Sequence, residues 1–515
     1  MTSLTQAGYM ADHPRPFGRW LAAIALLLFA AFTGLAVAVM DTWGAAVIVA
    51  LFLGMISLFL PVRYFIVLFI FLTFVVVGQL EYFAHIQRAF WIPFLLGLVL
   101  LVRFPAELMR RNKQHAWQAS FQPKQASSVT LLLGIYFATL IATTLINFDK
   151  PLQVFVSGKE YFFLWSIYLV IAGGMINPAL LTRIWSYLLW LLPLQLPIIF
   201  YQRFVVSAQR ADKYSAAWDA VVGAFGGNPD GGGASGAMGI FVVFAIAMAL
   251  CQWRQHTLRG WHCFLIVGSG LIAILLAEVK FAVLMLPVVI GIAFLRDVFA
   301  RPLAALGGIF LSVALAGLLL FAYEKQYWSD YQQKHIGSYT GNVFAGSVDP
   351  DSINMETGEM GRIAAIKFWM QRQTNVVHSL IGQGPGASRK GALVVGNAAK
   401  PWPFNIDRST LVILLWEVGI LGTASFVLML CAAAWRAYKL SGDVRLPAAE
   451  HATLRACSAG LVLLMLALPY NTDIIYSPQI QILLILILGQ LAIAGGRFAS
   501  SSPPSVASAI PRHAR

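Results

Sequence analysis

The feature that most constrains this chain is a series of uncharged apolar runs along almost its whole length. As helices, runs of about 17–21 residues are long enough to cross about 30 Å of hydrocarbon. In lipid every backbone N–H and C=O must be satisfied internally, so such runs predict spanning helices and exclude open sheets. Composition agrees: 59% of the 515 residues are apolar and only 11% are charged, against about a quarter charged in a soluble domain. The expected fold is all-α, a polytopic membrane protein.

The runs fall at 20–39, 43–61, 63–79, 89–102, 128–147, 162–177, 183–201, 237–253, 262–278, 280–296, 302–322, 409–434, 456–470 and 477–495, about fourteen crossings. An even count puts both termini on one side. With the N-terminus inside, Arg103, Arg110, Arg111, Lys113, Lys124, Arg254, Arg259, Arg296, Arg301, Arg436, Lys439, Arg445 and Arg455 all fall in cytoplasmic loops. The short outside loops hold few Lys or Arg, which is the positive-inside pattern. The expected location is a bacterial-type inner membrane, with both termini cytoplasmic.

This topology predicts five parts: a cytoplasmic N-terminus (1–19), a bundle of about eleven helices (20–322) with a glycine-rich outer loop at 202–236, a large periplasmic loop (323–408), C-terminal helices (409–497) and a disordered cytoplasmic tail (498–515). The first helix reads as an uncleaved anchor, because a polar stretch with Arg15 and Arg19 leads straight into a full-length apolar run. The net charge of +14 is dispersed over loops. It fits topological bias and attraction to anionic lipid, and argues against nucleic acid as a partner. Cys251, Cys263, Cys431 and Cys457 form no CxxC or Cys/His cluster and read as buried small hydrophobes.

Three features could carry chemistry. Glu278 and Lys280 sit between two apolar runs, at or just below the outer interface. Ionisable groups there are expensive and are functional hypotheses by default, with a structural Glu278–Lys280 pair as the plain alternative. In the large loop, 359–373 has helical spacing and carries Arg362 and Lys367. It is followed by Gly382-Gln383-Gly384-Pro385-Gly386, a turn that is expected to expose backbone N–H groups to a ligand. The turn lacks the ending of a P-loop, which disfavours nucleotide binding. The third feature is the 202–236 loop, with Arg203, Arg210 and a glycine cluster from Gly223 to Gly233. A plain linker would look similar. Together the outer face gathers Arg203, Arg210, Lys280, Arg362 and Arg408 with His335 and several carboxylates. Arginine suits bidentate phosphate recognition, so a cationic cleft beside lipid suggests a substrate with a phosphate group and a hydrophobic tail.

The order of many helices, a late outer loop with Arg on a helix, Gly-x-Gly-Pro-Gly, and then a helix with Glu417-Val418-Gly419-Ile420-Leu421-Gly422 resembles the O-antigen ligase and O-antigen/exopolysaccharide polymerase superfamily. The resemblance is clearest over 355–425. It implies a GT-C-type membrane glycosyltransferase acting on a saccharide linked to undecaprenyl diphosphate, inverting and independent of metal or other cofactor. It also implies a flippase and a chain-length regulator as partners. The family's cation at the outer end of a helix pair corresponds to Lys280, and its loop arginine to Arg362. Ligases use a loop His shortly before the next membrane helix. Here Asp407-Arg408 stands there instead, which favours a polymerase.

The residues agree with that chemistry. A glycosyl diphosphate brings its own leaving group, and fixed cations in a partly dehydrated site stabilise the charge it accumulates. The acceptor hydroxyl then needs a base, for which Glu324, Asp407, Glu278 and His335 are the candidates. A secondary transporter or lipid-linked-sugar flippase is the alternative from another class, and a non-catalytic assembly protein a third. Transporters often show repeated halves with broken helices, and no internal repeat is visible.

Overall fold

The structure is a computed structural model that describes residues 59–112, 128–148, 151–209, 220–229, 234–300, 302–331, 349–355, 358–373, 375–391 and 394–500. The chain divides into the units Met1–Pro61 and Val62–Arg515, and the elements described belong to the second. The expected crossing at 20–39, and nearly all of the one at 43–61, lies outside the described residues.

Among the described residues, eleven helices are long and apolar enough to cross a membrane. They begin with α1 (Val62–Tyr82), α2 (Gln87–Arg110), α3 (Ser128–Ile146), α4 (Pro151–Ala172), α5 (Pro178–Gln209), α6 (Ser235–Arg254) and α7 (Gly260–Ala277). A shorter apolar helix, α8 (Lys280–Ala293), follows, then α9 (Leu295–Ala300) and α10 (Pro302–Tyr331), which spans over Leu306–Lys325. The large loop between α10 and the next membrane helices holds a two-stranded antiparallel ribbon, β1 (Ile353–Asn354) against β2 (Glu359–Met360), and the helices α11 (Arg362–Arg372) and α12 (Val376–Ile381). The chain then returns through α13 (Thr410–Glu417), α14 (Gly419–Leu440), α15 (Ala448–Ala467), α16 (Asp473–Tyr476) and α17 (Pro478–Ser500).

Side-chain distribution decides which helices lie inside. In α6, apolar and small residues run round every face (Gly236 to Ala249), and most of the helix is buried. A helix that is apolar all round belongs in a core. Together with the buried α17 it makes the centre, while α10 keeps most of its surface exposed.

The crossing expected at 280–296 is the shorter helix α8, which ends at Ala293 and is not among the eleven, and two further departures from the sequence expectation bear on the site. The run expected at 162–177 starts at Pro151, so Lys159 and Glu160 lie within the helix. The run expected as one helix over 409–434 is broken at Val418. Of the cysteines, Cys251, Cys263 and Cys457 are buried as expected, but Cys431 is exposed.

The bundle has two distinct ends. At one, Asp297 pairs with Arg254 and Arg455, and Arg296 donates to the Tyr438 carbonyl at 2.5 Å. At the other lie the large-loop elements, the α7–α8 turn and the α15–α17 link, joined by Thr410 donating to the Asn471 carbonyl. The described part of the large loop has its own small core, centred on Phe368, Trp369, Phe404 and Trp416.

Candidate functional site

Three polar assemblies occupy the loop-bearing end. The first is a corner built on Tyr470. Glu278 takes a left-handed conformation (φ 55°) and reverses the chain between α7 and α8, a conformation costly for a residue with a Cβ. The reversal makes Lys280 the first residue of α8 and stacks Phe281 on Tyr470, with ring centroids 4.4 Å apart. Arg362, the first residue of α11, lies over the same Tyr470 ring at 4.1 Å, and its Nε donates to the Tyr470 carbonyl. From α5, Arg203 approaches Glu278 at 3.8 Å. Cations more than 150 positions apart in the sequence are thus collected at one corner.

The second assembly surrounds Glu417. The helix break at Val418 and the positive φ of Gly419 (66°) leave carbonyls at the end of α13 without helical partners. The Gln383 N–H donates to the Trp416 carbonyl at 2.9 Å, and the Gly384 N–H to that of Glu417 at 3.0 Å. The buried Glu417 carboxylate then accepts from Tyr161 Oη at 2.7 Å, Gly386 N–H at 2.8 Å and Ser388 Oγ at 2.7 Å. Burial pushes this carboxyl up to about 7, against the lowering effect of those three donors. Gly382, Gly384 and Gly386 all have positive φ, near 80–89°. The expectation that this turn offers its N–H groups to a ligand is therefore corrected. The turn does converge on an acceptor, but that acceptor is the protein's own Glu417 carboxyl.

Beside it, Glu160 is sandwiched between Lys159 at 2.6 Å and Arg389 at 2.5 Å. The Lys159 ammonium faces the rings of Phe90, Trp91 and Phe94 at 4.8–5.7 Å. Arg389 lies over Tyr476, whose hydroxyl donates to Asp407 at 3.4 Å. Burial raises the Asp407 pKa above its ordinary value, opposed by Arg389, Arg408 and the Tyr476 hydrogen bond.

The third assembly is the glycine-rich loop. Residues Ala220 to Phe225 are buried inside the bundle and do not form an open linker. Irregular backbone at this depth must be satisfied by protein. Gln202 Oε1 accepts from the Val222 and Gly223 N–H groups at 3.0 and 2.8 Å, and its Nε2 donates to the Gly223 carbonyl at 3.0 Å. Gln79 donates to the same carbonyl and Tyr82 to that of Ala220. Gln195 accepts from Ala224, and Gln479 donates to Phe225. Gln202 sits in a π-helical turn of α5, and Gln479 also donates to the Thr73 carbonyl, in a π-helical turn of α1. Such turns often mark functional sites.

Of the residues singled out from sequence, Arg362 lies on Tyr470, Glu278 and Lys280 belong to the turn whose Phe281 stacks on that ring, and Arg203 approaches Glu278. Arg408 binds the Met360 carbonyl and approaches Glu359, holding the ribbon to the outer end of α13. Asp407 belongs with Tyr476 and Arg389. Glu324 is half-buried on α10, one residue beyond Tyr323, whose hydroxyl donates to the Ile274 carbonyl. Arg210 and His335 lie outside the described residues. Sequence reasoning did not single out Lys159, Glu160 or Arg389. An ion pair inside an apolar helix was the available signal for the first two, and it was hidden by starting that helix eleven residues late. No protein-family model matches the chain, and no curated protein matches it in sequence.

Proposed function

We propose that this protein is a periplasm-facing membrane glycosyltransferase that polymerises, or ligates, undecaprenyl-diphosphate-linked oligosaccharide units, as a multi-pass protein of a bacterial inner membrane. The observation that supports this reading is that Arg362 of the large loop lies on Tyr470, the ring on which Phe281 stacks, so that it meets the α7–α8 turn where Lys280 begins α8 and Arg203 of α5 approaches Glu278. The opposite end carries Arg254, Arg296 and Arg455, the bias expected of a cytoplasmic face.

In this reading an acceptor hydroxyl oxygen attacks the anomeric carbon from the side opposite the diphosphate. The bond to the diphosphate oxygen breaks, and the leaving group carries away the electron pair. Arg362 and Lys280 stabilise that growing charge at a site where bulk water is reduced. The hydroxyl proton passes to a carboxylate. Asp407 suits this role, because burial holds its pKa up and a base works best when its pKa approaches the working pH. It is tied to the corner through Thr410, three residues on, which bonds Asn471.

A secondary transporter or flippase is the second reading, favoured by the irregular backbone of residues 220–225 inside the bundle. One experiment separates them. Lys280→Ala and Arg362→Ala variants are checked for membrane level, and polymer length and lipid-linked units are measured. Glycosyl transfer predicts short lipid-linked units accumulating on the outer leaflet. Accumulation on the cytoplasmic leaflet supports transport, and unchanged polymer in both variants removes the corner from the reaction.

A further inference from the structure

We propose that α12 is a foot seated in the headgroup region of the membrane on the loop-bearing side, so that the bilayer itself is the partner of this face. α12 presents Val376, Val377 and Leu380 outward, at 71%, 51% and 49% exposure. None of its residues is buried, and the outer-loop core is built without it. Its apolar side chains therefore do not serve that domain's own packing.

Their neighbours show what covers them. α12 packs against α3, α13 and α14. The backbone of Leu380 rests directly on Gly419, the first residue of α14. The next two residues, Ile420 and Leu421, are exposed, as are Leu145 and Ile146 in the last turn of α3. These belong to the outer surface of two membrane-spanning helices, whose solvent is lipid. The exposed apolar side chains of those spans and of α12 therefore adjoin at the Leu380–Gly419 contact. From Asn375 to Ile381 the chain contains no Lys, Arg, Asp or Glu, and the exposed Arg372 precedes the stretch. A short apolar segment without charge beside a cation suits an interfacial element. Three side chains add only a shallow seat. Its effect is to set the height of the outer loop over the membrane, and with it that of Arg362 on the neighbouring α11. The inference rests on the membrane-spanning architecture and not on glycosyl transfer.

The test places an environment-sensitive nitrobenzoxadiazole dye on Val376→Cys or Leu380→Cys in a Cys431→Ser background, leaving only the three buried native cysteines. The full-length protein is reconstituted at one copy per lipid nanodisc, with Asp351→Cys as the water-exposed reference. The expected result at both sites is emission shifted to the blue of the reference, with several-fold stronger quenching by lipids that carry a nitroxide just below the headgroup. Emission and quenching equal to the Asp351→Cys reference overturn the proposal. So does blue-shifted emission that lipid nitroxides do not quench, which would mean that protein covers the face.

Discussion

The Glu417 clamp and the Tyr470 corner lie at the same end of the bundle, yet they use polar groups in opposite ways. At Glu417 the donors from Tyr161, Gly386 and Ser388 all serve an internal carboxylate that is almost completely buried. At the Tyr470 corner, Arg362, Lys280 and Arg203 are only partly buried, with Arg362 held by the Tyr470 ring and carbonyl and Arg203 facing Glu278. The first arrangement is closed and specifies where the outer loop docks. The second leaves charge at a surface. A glycine signature and a group of cations thus behave differently even when they share a face, one closed on an internal carboxyl and the other left partly open.

The strongest way to break the comparison is to unseat the clamp. A Cβ at Gly382 would enter the carbonyl of Glu417, one at Gly419 would enter the backbone of Leu380, and both glycines have positive φ. Gly382→Ala and Gly419→Ala should each cost about 3 kcal/mol or more, read as a large fall in unfolding temperature in detergent. If both variants melt normally, the turn is not docked as described. Arg362→Ala should behave in the reverse manner. Losing one fixed charge-stabilising donor should slow polymer formation by about 10²-fold, with little change in melting.

A finer contrast lies in pH. Glu417 has a folded pKa of about 7, raised from an ordinary 4.5. Its contribution to stability is therefore full below the ordinary value and is lost as pH rises through about 7. Melting temperature should fall between pH 5 and pH 8 in the parent protein and fall less in Glu417→Gln; identical slopes would remove Glu417 as the cause. The smallest effect belongs to Lys367, whose pair with Asp351 is exposed. Lys367→Ala should change stability by under about 0.5 kcal/mol and leave polymer length unaltered.

Much of the architecture was legible in the sequence because membrane helices announce themselves by length and hydropathy. Each apolar run within the described residues is helical, though 409–434 and 280–296 are each divided between two helices, and 359–373 contains α11 as the spacing predicted. The Tyr470 corner was legible in part. Intramembrane charge marked Glu278 and Lys280, but nothing local said that Tyr470, with no charge of its own, would join them to Arg362. The glycine turn was misread for a comparable reason. Spacing shows that N–H groups converge, but their acceptor, Glu417, comes from 31 residues beyond Gly386. The buried glutamines were silent, since an isolated amide in an apolar run alters hydropathy little and carries no periodic signal.

The glutamine-held loop has an electrical consequence. Residues 220–225 are fastened by amides and a phenol, and the Glu81 carboxylate meets the chain just after them, at Gly226 and Gly227. Moving an elementary charge across a potential of 100 mV does work of about 2.3 kcal/mol, but a latch of neutral amides carries no such charge. Its seating should be indifferent to membrane voltage and to proton concentration alike, so any response of the protein to the proton-motive force has to enter through other groups.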